Sequence, residues 1–275
     1  MFPLKHATYD DRHHTQDQDM HKEDCIRKVI AAVILFCSLC LSGWHEAYGA
    51  DQKVFALCYH SFLGNKRFAG DVSLQEFKSQ MDFLQSKGFK FVSYQDILKG
   101  TVAGSKNVLI VIDDGNNSVF QAYHEVLKPR NIRPILAIYP GIIGKKSYTL
   151  TWEQLMELSK ECDIASHGYY HLHLNQKLYD KDKEAFLKEI HLSKETLEKR
   201  LNCKVSVMVY PNGIRSDITK QILKEAGYAY AFTIVWGPLL SPLKLNKDPY
   251  ELPRYMIYQN NWGMISNTIL KASAQ

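Results

Sequence analysis

Cysteine is scarce in the body of this chain: beyond residue 50 there are only Cys58, Cys162 and Cys203, an odd number without metal-type spacing. That excludes a disulfide framework, although one pair could bridge in an oxidising compartment. Dense Lys/Arg blocks are missing too. A formal net charge of +5 over 275 residues therefore leaves no nucleic-acid footprint, and no nucleic-acid module is recognisable. No histidine occurs after residue 236, and no repeat, linker or low-complexity tract follows residue 50. The apolar run from Val29 to Gly43 is shorter than the roughly 20 residues of a membrane-spanning helix.

What the N-terminus does have is the layout of a secretory signal. Lys22, Arg27 and Lys28 precede the apolar run, and Ala47-Tyr48-Gly49 puts small residues where a signal peptidase reads. The sequence thus divides into an extension with signal (1–49) and one domain (50–275), with secretion or a periplasmic location expected and an uncleaved anchor as the alternative. The membrane is expected to be a partner only through this segment. Met20, followed by His21-Lys22, would open a conventional signal. Phe36 and Leu39 precede Cys37 and Cys40, which argues against a lipoprotein signal.

The 45% hydrophobic content suits a globular domain. From Lys53 onward short apolar runs alternate with helical patterns, the signature of parallel β/α units. The central run is Val108-Leu-Ile-Val-Ile-Asp-Asp-Gly115, read as a strand buried on both faces that opens into two carboxylates and a turn. Strands are also expected at 54–60, 89–92, 133–139, 163–166, 204–210, 228–235 and 253–258. Ser73 with Glu76 forms a capping box for a helix to about Lys87, and a long helix spans about 181–201, its charges read as a solvated face. Seven to eight strands in one domain predict a deformed or incomplete (β/α) barrel.

Three polar clusters follow strands. Asp113-Asp114 ends the central one; read alone, it is either a site or a polar turn. Consecutive strand residues diverge, so the two carboxylates share a pocket only if the strand is already breaking there. Ser166-His167-Gly-Tyr-Tyr-His171 follows another. Its two histidines are four apart, a spacing that puts both imidazoles on one face of a helical turn, and neutral imidazole suits Zn, Co or Fe. With one carboxylate they would make a two-His, one-Asp set with open positions. The third cluster is Tyr210-Pro-Asn-Gly213.

In these motifs the sequence resembles the polysaccharide deacetylase family, carbohydrate esterase family four. Val111 to Gly115 matches its Thr-Phe-Asp-Asp-Gly, and Ser166 to His171 its Ser-His-Thr-x-x-His, with Gly168 for Thr. Cys58-Tyr-His-Ser-Phe62 and Met208-Val-Tyr-Pro-Asn-Gly213 look like the branch acting on poly-N-acetylglucosamine. The resemblance covers about residues 53–260. It implies a divalent metal, Zn foremost with Co or Ni possible, held by Asp114, His167 and His171, with Asp113 as general base. It also implies an oxyanion donor at the Asn212 backbone N–H, and a partner that is an N-acetylated amino sugar polysaccharide.

Two expected groups are missing from their usual places. The motif-three Arg falls on Val209, with Arg254 as the candidate substitute, and the late Leu-x-His acid has no counterpart, leaving His60 as candidate. Tyr210, Pro211 and Trp236 are candidate sugar contacts. The implied activity is removal of N-acetyl groups from poly-N-acetylglucosamine, peptidoglycan or a chitin-like polymer. The rivals are a deacetylase-fold carbohydrate-binding protein and a glycoside hydrolase using Asp113 with a second carboxylate.

Overall fold

The central strand β3 (Asn107–Asp114) is flanked on one edge by β1 (Lys53–Tyr59), in parallel register from Val54↔Asn107 to Tyr59↔Ile112. Two strands share its other edge. β2 (Lys90–Phe91) takes its start and β4 (Ile135–Ile138) its end. The sheet continues in parallel through β5 (Asp163–Ser166), β6 (Val207–Val209) and β7 (Tyr230–Phe232). The outer edge of β1 is shared in the same way, by β8 (Leu239–Leu240, antiparallel) near its start and β9 (Tyr255–Met256, parallel) near its end. This is a computed structural model, and it describes residues 52–65 and 68–275. The expected signal segment lies outside the described residues.

The single domain is a curled mixed sheet with helices packed on it, as the sequence predicts. One irregular run, residues 249–256, reaches both ends of the curl. Leu252 bridges to Phe232, and Thr233 N–H donates to its carbonyl at 2.8 Å, while Tyr255 and Met256 pair with Leu57 and Cys58. Pro249 and Pro253 lack an N–H to give a ladder, so the strand expected over 253–258 shortens to two residues.

Alternation along the strands sorts the core into two layers. Val54, Ala56, Leu109, Val111, Ile135, Ala137, Ala165, Val207, Val209 and Leu252 form the inner layer, enclosed by the curl. Their neighbours Phe55, Leu57, Val108, Ile110, Leu136 and Met208 pack outward under the helices. Continuing the inner series in steps of two reaches Cys58 and then His60, and likewise Asp113, His167 and Arg254. The interior is therefore apolar at one end and polar at the other, where the parallel strands end.

The helix after Ser73 runs Leu74–Ser86 (α1) with its capping box complete. Farther along are Tyr94–Lys99 (α2), Ser118–Ala122 (α3), Trp152–Leu158 (α4), Gln176–Lys181 (α5), Lys183–Leu201 (α6), Asp217–Glu225 (α7) and Trp262–Ser273 (α8). α3 continues as a π turn, Tyr123–Leu127, before Pro129 ends it in a 3-10 turn. The sequence does not signal α5 or β8.

At the apolar end, buried Asn107 donates through Nδ2 to the carbonyls of Lys53 (3.0 Å), Gly104 (2.8 Å) and Ala103 (3.3 Å), tying β1 to β3. Asn107→Ala should destabilise the domain by about 1–3 kcal/mol in urea unfolding. Chemistry six residues away, about 20 Å along the strand, should keep its rate.

Candidate metal centre

Asp113 ends the inner series of β3 and is 2% exposed. Asp114 would point the other way if the strand went on, but its φ of 75° takes it out of extended geometry. Gly115 follows at φ 85°, where a Cβ would lie 3.0 Å from Ile143 Cδ1. The break turns both carboxylates toward the same mouth, the condition for their sharing a site.

The histidine turn differs from the helical turn expected. Gly168 at φ 77° and His171 at φ 64° lie outside right-handed helix, and residues 167–174 are irregular. The imidazoles nevertheless meet, with Nε2 atoms 3.1 Å apart and ring centroids at 4.7 Å. Asp114 Oδ1 lies 3.5 Å from His167 Nε2 and 3.6 Å from His171 Nε2. His173 is exposed and is not part of this donor set.

These separations fit a metal. Donors about 2.0–2.2 Å from a common ion, at octahedral to tetrahedral angles, lie about 2.8–3.6 Å apart. Asp114 Oδ1 is buried with no hydrogen-bond partner among the described residues. His167 Nδ1 is 2.7 Å from the Val209 carbonyl, which can only accept, so Nδ1 carries the proton and Nε2 presents its lone pair. Burial lowers His167 to about 3, with His171 adding to the effect, so its ring is neutral as a ligand must be. Burial also lowers His171 and, with Asp113 beside it, pushes Asp114 up to about 6. A cation at this point would reverse the penalty on Asp114.

A second cluster, Cys58, His60 and Asp113, also brings three donors together, but the Arg254 guanidinium stands among them. Its Nη1 donates to Asp113 Oδ1 at 2.8 Å, to Oδ2 at 3.0 Å and to Cys58 Sγ at 3.2 Å, while Nε donates to the Thr233 carbonyl. Burial works against an ionised Asp113. Arg254 outweighs it, helped by His167 and His60, and holds the carboxyl well below the usual range. Burial also pushes the Cys58 thiol well up, so it stays a donor, 3.3 Å from Asp113 Oδ2.

Beside Asp114 opens a cavity of ≈ 290 Å³, bordered by His60 and Tyr139 and rimmed by Leu63, Phe68 and Tyr148. The His60 ring stands edge-on to Phe68, its Nδ1 buried without a hydrogen-bond partner among the described residues. Asn212 is exposed at φ 53° in the 3-10 turn Pro211–Gly213. Tyr210, Pro211 and Trp236 do not border this cavity. Tyr210 is a correction: Val209 faces inward, so Tyr210 faces the outer core and has no accessible surface for a sugar. Pro211 is buried against Gly168. Trp236 is 43% exposed and packs on Tyr255 instead.

The sequence reading missed Glu189. This α6 side chain is fully buried and accepts from the N–H groups of Tyr169, Tyr170 and Leu172. A signal existed, because Glu189 falls on the stripe of Phe186, Ile190, Ser193 and Leu197, where a solvated charge has no place.

The polysaccharide deacetylase family model matches residues 101–231, a span that contains both carboxylates and both histidines. Over that span the chain carries a polysaccharide deacetylase domain. A poly-beta-1,6-N-acetyl-D-glucosamine N-deacetylase of Staphylococcus aureus is 25% identical over 268 residues, covering 83% of this chain and 90% of the relative. One of Staphylococcus epidermidis is 26% identical over 200 residues, or 68% of each chain. Among solved structures, IcaB from Ammonifex degensii superposes with TM-score 0.69 at 26% identity, over 80% of this chain and 97% of that one. The Streptococcus pyogenes deacetylase PplD in complex with acetate shares the fold, with TM-score 0.67 at 22% identity over 80% and 99%. Within this family pattern, Arg254 puts a guanidinium on the first motif's Asp from a different point of the chain.

Arg254→Leu would leave Asp113 buried and uncompensated, a loss of about 3–5 kcal/mol in unfolding free energy at neutral pH. Without Arg254 burial raises the folded-state value of Asp113 above its unfolded one, so protonation relieves the mutant as pH falls. The gap from wild type should narrow toward acid, and Asp113→Asn in the mutant background should recover part of the loss. Denaturant titrations at several pH values measure both.

Proposed function

We propose that this chain is a metal-dependent N-deacetylase of an N-acetylglucosamine polysaccharide, poly-β-1,6-N-acetylglucosamine foremost. The observation that carries it is the set Asp114, His167 and His171 at the mouth of a cavity, next to a carboxylate that Arg254 keeps ionised. The substrate comes from the relatives, whose names specify poly-beta-1,6-N-acetyl-D-glucosamine. The apolar run at 29–43 supports a secreted or periplasmic location, where such a polymer is found.

Asp114, His167 and His171 would hold the ion, with Zn favoured by the two-nitrogen, one-oxygen donor set and Co or Ni as alternatives. When bound, a divalent cation supplies polarisation of the acetamide carbonyl and acidification of water. Asp113 accepts the proton of the attacking water at its carboxylate. The Arg254 guanidinium keeps Asp113 ionised and so makes it a modest proton acceptor. The backbone N–H of Asn212 donates to the oxyanion as the carbonyl carbon becomes tetrahedral. His60 gives a proton to the amide nitrogen as the C–N bond breaks, leaving acetate and a free amine. Its place on the cavity wall supports that role.

A binding protein without turnover was suggested by the missing guanidinium and the missing late acid; Arg254 supplies the first, and His60 on the cavity wall is the proposed source of the second. A glycoside hydrolase needs a second free carboxylate across the cavity, whereas Asp71 there is engaged by Ser61 Oγ and by the N–H groups of Leu63 and Asn65.

Acetate release from defined β-1,6-linked N-acetylglucosamine oligomers tests the proposal. Release should stop with chelator and return with Zn or Co. Release from β-1,4-linked oligomers alone would reassign the polymer, and none from any oligomer with metal bound would refute the activity. Asp113→Asn should cut kcat by about 10²–10⁴-fold while sparing metal uptake, and His60→Ala by about 10²-fold.

A further inference from the structure

The turn that carries both histidines has no regular structure of its own, so something outside it must fix its shape. Resting on the reading above, we propose that Glu189 is a positioning residue for this metal-binding turn. Its carboxylate sets the curl that brings His171 onto His167, and the absence of a side chain at Gly168 admits it.

A fully buried carboxylate is costly unless its oxygens are satisfied. Here the partners are three backbone N–H groups of the turn: Oε2 accepts from Tyr169 (3.0 Å) and Leu172 (3.0 Å), and Oε1 from Tyr170 (2.8 Å). These donors lie on both sides of His171, so backbone N–H groups before and after the ligand converge on one anion, as in an anion-binding nest. That convergence accounts for a φ of 64° at a histidine, a conformation non-glycine residues seldom adopt.

Gly168 is the complementary half. A Cβ built there would lie 2.4 Å from Glu189 Oε2 and 3.3 Å from Pro211 Cγ, so a side chain at 168 and this placement of Glu189 exclude each other. The helix grips the preceding strand as well: Ser193, one turn beyond Glu189, has its Oγ 2.6 Å from that of Ser166. α6 thus holds the segment on both sides of His167. Replacing Thr by Gly in the second motif then does not loosen the turn, since the anchor is supplied from outside it.

Cobalt titrated into metal-stripped protein provides the test, with affinity and the visible Co(II) spectrum as readouts. Gln in place of Glu189 sets an amide N–H₂ against at least one backbone N–H. Glu189→Gln should weaken cobalt binding by about 10–100-fold and alter the spectrum. Gly168→Ala, which pushes on the carboxylate from the other side, should do the same and carries the test if Glu189→Gln yields no folded protein. Leu197→Ala, a core truncation on the same helix, should lower the unfolding temperature yet leave cobalt affinity within about twofold, as expected for a site remote from the turn.

The role of Glu189 is overturned if both turn variants bind cobalt like wild type, or if Leu197→Ala weakens binding as much as Glu189→Gln. Wild-type protein that takes up no cobalt would overturn the proposed function together with it, which distinguishes the two failures.

Discussion

The buried ion pair of Asp113 and Arg254 is the constraint on which the rest of this structure leans. Neither side chain has meaningful access to water, so each is tolerable only with the other in place. Asp113 sits on the central strand. Arg254 sits on the irregular run that touches both ends of the curled sheet, and its Nε reaches the Thr233 carbonyl beyond β7. One contact therefore fixes how the curl meets itself and the charge of the carboxylate at its mouth. A second network steadies the same run from outside, through Arg215 to Glu251 and Lys220 to Asp248 and Glu251.

Much of the site was legible because it obeys alternation. The apolar run into Asp113-Asp114-Gly115 reads as a buried strand opening into chemistry, and His167 continues the inner series of its own strand. The two candidate substitutes, His60 and Arg254, lie on the same inner parity. The pairing of Arg254 with Asp113 spans 141 residues, and no periodicity encodes a contact at that range. The curl brings it about.

What was not legible has specific physical causes. The i, i+4 spacing of His167 and His171 suggests a helical face, but left-handed residues bring the rings together by another path. Tyr210 looks like a groove aromatic until Val209 is seen to face inward, which sends its neighbour under the helices. Expected strands at 204–210 and 228–235 shrink to three residues each, since apolar character marks burial and only paired backbone counts as strand. Glu189 was passed over among the many charges of its helix, although its place on the apolar stripe set it apart.

The central claim is that Asp114, His167 and His171 form the metal centre, rather than the equally compact Cys58, His60 and Asp113. Anomalous diffraction at the cobalt edge from crystals soaked in that metal tests it most directly. The account predicts one ion bound by Asp114 and both histidine Nε2 atoms, with Arg254 still on Asp113. An ion between Cys58 and His60 with the guanidinium displaced, or none at the histidine turn, would contradict it.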